Sequence, residues 1–155
     1  MGDTGIQGGA IVAVGCDHAG YPLKSALWPM LSGGGYHVVD MGVESPHRSS
    51  NYAHYAHKVA SHVALGKAWR GVLLCGSGIG MCMTANRYKG VRAVCCHAMM
   101  DARLARQHND ANIITLGARL VGVDVAKACL HEFLTQAFEG GRHCERIDSI
   151  DSLRM

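Results

Sequence analysis

Short apolar runs and stretches of helical spacing alternate along nearly the whole chain. Ile11–Gly15, Tyr36–Asp40, Gly71–Cys75, Val91–Cys96 and Ile113–Leu116 are four to six residues long, the size of a buried strand. Between them, Tyr21–Leu31, Tyr52–Leu65, Met81–Arg87, Met99–His108 and Val123–Phe138 carry helical patterns. Pro29 is expected to disturb the last turn of the first helix. Gly33-Gly34-Gly35 and the polar loop Glu44–Ser50 punctuate the pattern. Strands alternating with helices predict βαβ units. The expectation is an α/β chain: a single doubly wound (Rossmann-like) domain, with a five-stranded parallel sheet and helices on both faces. Residues 1–10 are Gly-rich and polar and are expected to form a flexible leader, with one domain over 11–155.

Composition narrows the function classes. A chain of 155 residues, 48% hydrophobic and 17% charged, can bury a core without staples and does not read as disordered. The net charge of +3 comes from scattered basic residues, whereas nucleic-acid binding favours a basic stripe, so no nucleic-acid partner is expected. Seven cysteines, several inside strand-like runs, fit a reducing compartment better than a disulfide framework. No apolar run approaches the roughly 18 residues of a membrane span. A cytoplasmic protein with no membrane partner is expected.

Doubly wound sheets bind ligands outside the carboxyl ends of their strands, so the residues that follow each strand carry the chemistry. Cys75-Gly76-Ser77-Gly78-Ile79-Gly80 turns from the third strand towards a helix. Its GxGxG spacing, after the third strand, misses the dinucleotide fingerprint. Gly15–Gly20 has the GxxxxG half of a P-loop but continues Tyr21-Pro22 instead of Lys-Ser/Thr. A helix N-terminus favours anions, so a thiolate or a developing oxyanion is accommodated beside that loop. Cys75 is therefore either a base or nucleophile, or a buried structural thiol; its place at the strand's end favours the former. Asp17-His18, after the first strand, suits a phosphate or a hydroxyl, or simply caps the next helix. His108 is a catalytic candidate or a polar helix end. Arg142 and Arg146, four apart, would share a helical face and grip a phosphate, or are surface charge. His54, His57 and His62 along one helix lack a carboxylate or cysteine at ligand spacing, so a solvated face is the better reading. No C-x-x-C supports thiol redox chemistry.

Several segments together resemble the ribose/galactose isomerase family, in particular its type B ribose-5-phosphate isomerases. They are Gly15-Cys-Asp-His-Ala-Gly20, Asp40-Met-Gly42, Tyr52-Ala-His-Tyr-Ala56, Cys75–Gly80, Ala85-Asn86, Arg92-Ala93, Arg106-Gln-His-Asn-Asp110 and Glu139-Gly-Gly-Arg142. The resemblance implies metal-independent, cofactor-free interconversion of ribose 5-phosphate and ribulose 5-phosphate through a cis-enediolate. It makes Cys75 the general base, His108 the ring-opening residue and Ser77 the hydroxyl assisting proton transfer, with Asp17 close to the sugar. It assigns His18, Arg119, Arg142 and Arg146 to the phosphate. Asn109 and the amides of Gly76, Gly78 and Gly80 fall to the enediolate, and Tyr52 to the substrate pocket. It also implies a homodimer, or a dimer of dimers, with the site completed across the interface. Ala53 departs from the proline many relatives carry. A family branch with a glutamate base lacks the cysteine, so Cys75 places the chain with the cysteine type. The competing expectations are a six-carbon sugar-phosphate isomerase and a phosphosugar-binding module without turnover.

Overall fold

The computed structural model describes residues 9–152. Five parallel strands form one sheet in the order β2-β1-β3-β5-β4: β1 (Ile11–Cys16), β2 (His37–Asp40), β3 (Arg70–Cys75), β4 (Ala93–Cys95) and β5 (Ile113–Gly117). Every pairing is parallel, and in-register partners such as Cys75 and Gly117 bring the carboxyl ends of β3 and β5 level. The α/β reading, a doubly wound five-stranded parallel sheet, is what the structure has. Of the leader expected at 1–10, residues 1–8 lie outside the described residues. The Gly9 N–H donates to Gly35 O at 3.0 Å.

Helices cover both faces because strand residues alternate sides. Val12, Val14, Val72, Leu74, Ile114 and Leu116 point to one face, where α1 (Tyr21–Gly33), α4 (Met99–Asn109) and α5 (Val123–Thr135) bury their apolar stripes. Ala13, Leu73, Cys75 and Ile113 point to the other, under α2 (Tyr52–Ala64) and α3 (Ile79–Ala85). A sixth helix, α6 (Arg142–Asp151), follows α5. No helix among the described residues is long and apolar enough to cross a membrane.

Differences from the expected boundaries have local causes. Pro29 sits inside α1, which runs on to Gly33, where the Gly34 N–H caps Leu31 O. The strand expected at Val91–Cys96 shrinks to Ala93–Cys95. Side chains take its backbone at the start: Arg92 N–H donates to Asn112 Oδ1 and Ala93 N–H to Asn86 Oδ1, each at 2.8 Å. Asn86 Nδ2 returns to Ala93 O at 2.9 Å, so a side-chain amide closes the open edge of β4. The last long helix stops at Thr135 rather than Phe138, since Gln136 is extended and its carbonyl accepts from buried Arg106 at 3.3 Å.

The sheet reverses its winding between β1 and β3. From β1 the chain leaves towards β2, and from β3 towards β4 and β5 on the other side. Loops diverge there and leave a crevice at the strands' carboxyl ends.

An ion pair joins α4 to α5. Arg103 Nε and Nη2 donate to Glu132 Oε2 and Oε1 at 2.9 and 2.8 Å, a two-pronged contact on a nearly buried carboxylate. That contact holds the Glu132 carboxyl below its ordinary 4.5. A depressed carboxyl contributes stability above its unfolded pKa and loses it as pH falls through the folded one. Glu132→Gln is thus expected to cost about 1 kcal/mol at neutral pH. In acid the wild type should lose stability more steeply than the variant below about pH 4.5. Urea melts of both proteins across that range are the check.

Candidate active site

The crevice is built by glycines at closest approach. A Cβ on Gly20 would lie 2.0 Å from Leu74 O, so the β1–α1 turn rests on the backbone at the end of β3. A Cβ on Gly117 would lie 2.5 Å from Ser77 O, so the end of β5 presses the loop after β3 in the same way. Gly78, at φ +77°, takes the left-handed conformation that lets this loop reverse into α3.

Within the loop, the Gly78 N–H points at Cys75 Sγ, 3.1 Å away, and the Ile79 N–H at Ser77 Oγ, 3.3 Å away. Its carbonyls are held from behind. Cys75 O accepts from Ala118 N at 2.8 Å, Gly76 O from Arg119 N at 3.0 Å, and Gly78 O from buried Thr115 Oγ1 at 2.8 Å. The carbonyl oxygens of Cys75, Gly76 and Gly78 are thereby bonded to β5 and the segment after it. Burial pushes the thiols of Cys16, Cys82 and Cys96 up, and that of Cys129 to about 11, which marks these four as protonated structural groups.

Around the loop stand other residues read from the sequence. Asp17 is buried, and its Oδ1 accepts the Gly20 N–H at 2.9 Å, which fixes the turn between β1 and α1. Ser50, which sequence reasoning missed, fixes His18. Its N–H donates to His18 Nδ1 at 3.2 Å, and the His18 N–H donates to Ser50 Oγ at 3.2 Å. A backbone amide only donates, so Nδ1 accepts and the neutral ring carries its proton on Nε2, ready to donate to an anion. The Arg119 side chain lies against Gly76. His18 and Arg119 share a 450 Å³ pocket with Ala19, Pro22, Pro46 and Ala118. The Tyr52 ring covers Gly80. Thus Asp17, His18, Tyr52, Cys75, Ser77, Arg119 and the loop glycines gather at the carboxyl edge.

His108, Asn109, Arg142 and Arg146 do not join them. α4 starts beyond the carboxyl end of β4 and runs back, so its last turn lies at the opposite edge, where β5 begins. The sheet between the two edges is roughly 15 Å or more deep. At that far edge His108 stacks on buried His143, with ring centroids 4.4 Å apart, and Glu139 stands beside both. Burial, then nearby His108 and Arg142, keep the His143 ring below the usual histidine range, favouring its neutral form. A concavity of 1160 Å³ also avoids the thiol: it runs along β4 between residues 86–94, Asn109 and the end of α6. His54, His57 and His62 do not converge. His57 Nδ1 meets Tyr88 Oη at 2.8 Å, and His62 Nδ1 meets Lys58 O at 3.0 Å.

A doubly wound sheet with a thiol, a hydroxyl and oriented amides at its switch point defines an enzyme for small anionic substrates. The comparisons narrow the class. A model of the ribose/galactose isomerase family matches residues 12–150. The chain is 42% identical over 142 residues to ribose-5-phosphate isomerase B of Escherichia coli, covering 92% of this chain and 95% of that one. It is 37% identical over 139 residues to D-erythrulose-4-phosphate isomerase of Pectobacterium atrosepticum, covering 90% and 91%. The solved ribose 5-phosphate isomerase of Thermotoga maritima superimposes with a TM-score of 0.88 at 43% identity, covering 93% and 99%. The chain belongs to the ribose/galactose isomerase family and is a sugar-phosphate isomerase of the aldose–ketose type.

The glycine contacts yield a test. Gly117→Ala should displace the Cys75–Gly80 loop and lower kcat by about 10²-fold with a smaller change in KM. Steady-state kinetics on a variant verified as folded checks this. A kcat within tenfold of wild type would show that the site tolerates the shift.

Proposed function

We propose that this chain interconverts ribose 5-phosphate and ribulose 5-phosphate through a cis-enediolate, in the cytoplasm, as a step of the non-oxidative pentose phosphate pathway. The observation that carries the reading is the Cys75 thiol, held by the Gly78 amide at 3.1 Å inside the crevice between β1 and β3. All seven cysteines are free, in keeping with a reducing compartment.

In the open-chain aldose, Cys75 as thiolate removes the C2 proton, and the negative charge passes to O1. The Ser77 hydroxyl and the loop amides hold the two enediolate oxygens. The O2 proton moves to O1, and the thiol returns its proton to C1, leaving a ketone at C2. One base serves both carbons because the enediolate is cis. A positioned base contributes about 10²–10⁴-fold and each oxyanion donor about 10²–10³-fold. His18 Nε2 and Arg119 hold the phosphate from this side of the crevice.

Ring opening is assigned to His108, which this chain places at the far edge of its own sheet. A two-fold dimer resolves the separation, since each copy offers its carboxyl edge to the other's His108, Asn109, Arg142 and Arg146. Exposed apolar side chains flank edge strand β4 on both sides, Ile79 and Met83 on α3 and Met99, Met100 and Leu104 on α4, and a second copy would cover them.

Two experiments decide the reading. With chelator present, purified protein is expected to isomerise ribose 5-phosphate in preference to erythrulose 4-phosphate or allose 6-phosphate. Cys75→Ala should lose at least about 10²-fold, and activity within tenfold of wild type would sink the assignment of the base. Cys75→Ala and His108→Asn chains, each impaired alone, are then unfolded and refolded together. Hybrid dimers hold one intact site each, so about a quarter of wild-type activity should return. No recovery in a preparation shown to contain hybrids would rule out the shared site.

A further inference from the structure

α4 ends where α6 begins, and three potential metal ligands converge there. His108 lies in the last turn of α4, His143 in the first turn of α6, and Glu139 in the loop between α5 and α6. Glu139 Oε2 is 3.9 Å from His108 Nε2 and 3.7 Å from His143 Nε2, and one ligand atom from each residue falls within 4.8 Å of the others. The imidazole planes lie within 12° of each other.

The backbone holds this arrangement. The Glu139 N–H donates to Gln107 O at 3.0 Å, which ties the loop to α4. Gly140 and Gly141, at φ +66° and +56°, make the reversal that returns the chain over His143. His143 is buried while Glu139 is half exposed, so the cluster is anchored on one side and open on the other.

Two imidazole nitrogens and one carboxylate oxygen form a borderline donor set, suited to Zn²⁺, Co²⁺ or Ni²⁺, whereas Mg²⁺ and Ca²⁺ favour oxygen ligands. At metal–ligand distances of about 2.0–2.2 Å, tetrahedral ligand atoms stand roughly 3.3 Å apart. Side-chain rotations that bring these atoms in by about an ångström and tilt the stacked rings until their planes meet would close them around an ion. Three protein ligands leave one position for water.

We infer that His108, Glu139 and His143 bind a divalent transition ion of the zinc class, and that the ion inhibits the isomerase by occupying His108. The binding half stands on geometry alone; the inhibition half rests on the role proposed for His108. A ring nitrogen whose lone pair is given to a metal no longer exchanges protons with a sugar. Ribulose 5-phosphate has no ring to open, because its 5-hydroxyl carries the phosphate, so its conversion should be spared.

The test uses the full-length, chelator-stripped protein and Co²⁺ as a spectroscopic probe. The expected result is one Co²⁺ per chain, with the visible bands of a four-coordinate nitrogen–oxygen site and no thiolate charge-transfer band. Affinity should fall about tenfold or more in Glu139→Gln and in His143→Asn, and should hold in Cys75→Ala and Cys144→Ser. The exposed Glu139 keeps the test valid should His143→Asn fail to fold. Absence of binding, binding unchanged in Glu139→Gln, or binding lost with either cysteine would overturn the site. Zn²⁺ should slow initial turnover of ribose 5-phosphate at least tenfold more than that of ribulose 5-phosphate, and less so in Glu139→Gln. Equal inhibition from both substrates would overturn the inhibitory mechanism while leaving the isomerase reading intact. Should neither substrate turn over, the isomerase reading and the inhibition fall together, and the Co²⁺ titration still decides the site.

Discussion

The ends of β1, β3 and β5 are held together by backbone lying directly against backbone. Gly20 sits so close to Leu74 O, and Gly117 to Ser77 O, that any Cβ would overlap the neighbouring chain. With side chains absent, the turn after β1 and the end of β5 pinch the loop after β3 from both sides. That pinch aims the Gly78 amide at Cys75 Sγ and lets Ala118 and Arg119 hold the loop's carbonyls. It also brings Asp17, His18 and Arg119 to the same rim. The shape of the crevice depends on these contacts.

The same winding rules that create the crevice separate its parts. A helix that connects parallel strands must return to the starting edge, so a residue in its first turn and one in its last lie near opposite ends of the strands. His108 is in the last turn of α4 and Cys75 at the end of β3, so one copy cannot bring both to one small substrate. The far edge is nevertheless firmly built. Buried Arg106 ties α4 to Asp110, Ala111 and Gln136, and Arg92 joins Asp110 to Asp151 of α6. A surface held this way can present His108, Arg142 and Arg146 to another molecule as a rigid unit.

Legibility varied with how local each cause was. The strands were readable because each is an apolar run of the right length between turn residues. The glycine loop was readable because a cysteine, a serine and three glycines sit within six consecutive positions. α6 was left open. It starts after two glycines, buries only His143 and Ile147, and gains its Arg92–Asp151 contact from the segment just before β4. The apolar run overstates the start of β4 because Asn86 and Asn112, not strand partners, take the backbone there. Ser50 carried no signal of its role beside His18, since 32 residues separate them. His108, Glu139 and His143 likewise meet only through the docking of α6 on α4.

By itself the sequence determined the alternation of strands and helices, the parallel sheet, the glycine-rich turn after β3 and the family to which the chain belongs. These follow from local patterns: apolar period, turn residues and consecutive motif positions. Tertiary structure alone decided which of those residues share a rim, how the His18 proton is placed, and that His108 and Cys75 face opposite edges. Those outcomes depend on strand order and crossover direction, which relate residues far apart in the chain. No spacing along one segment encodes them, because they arise only when the sheet is assembled and each helix has run back across it.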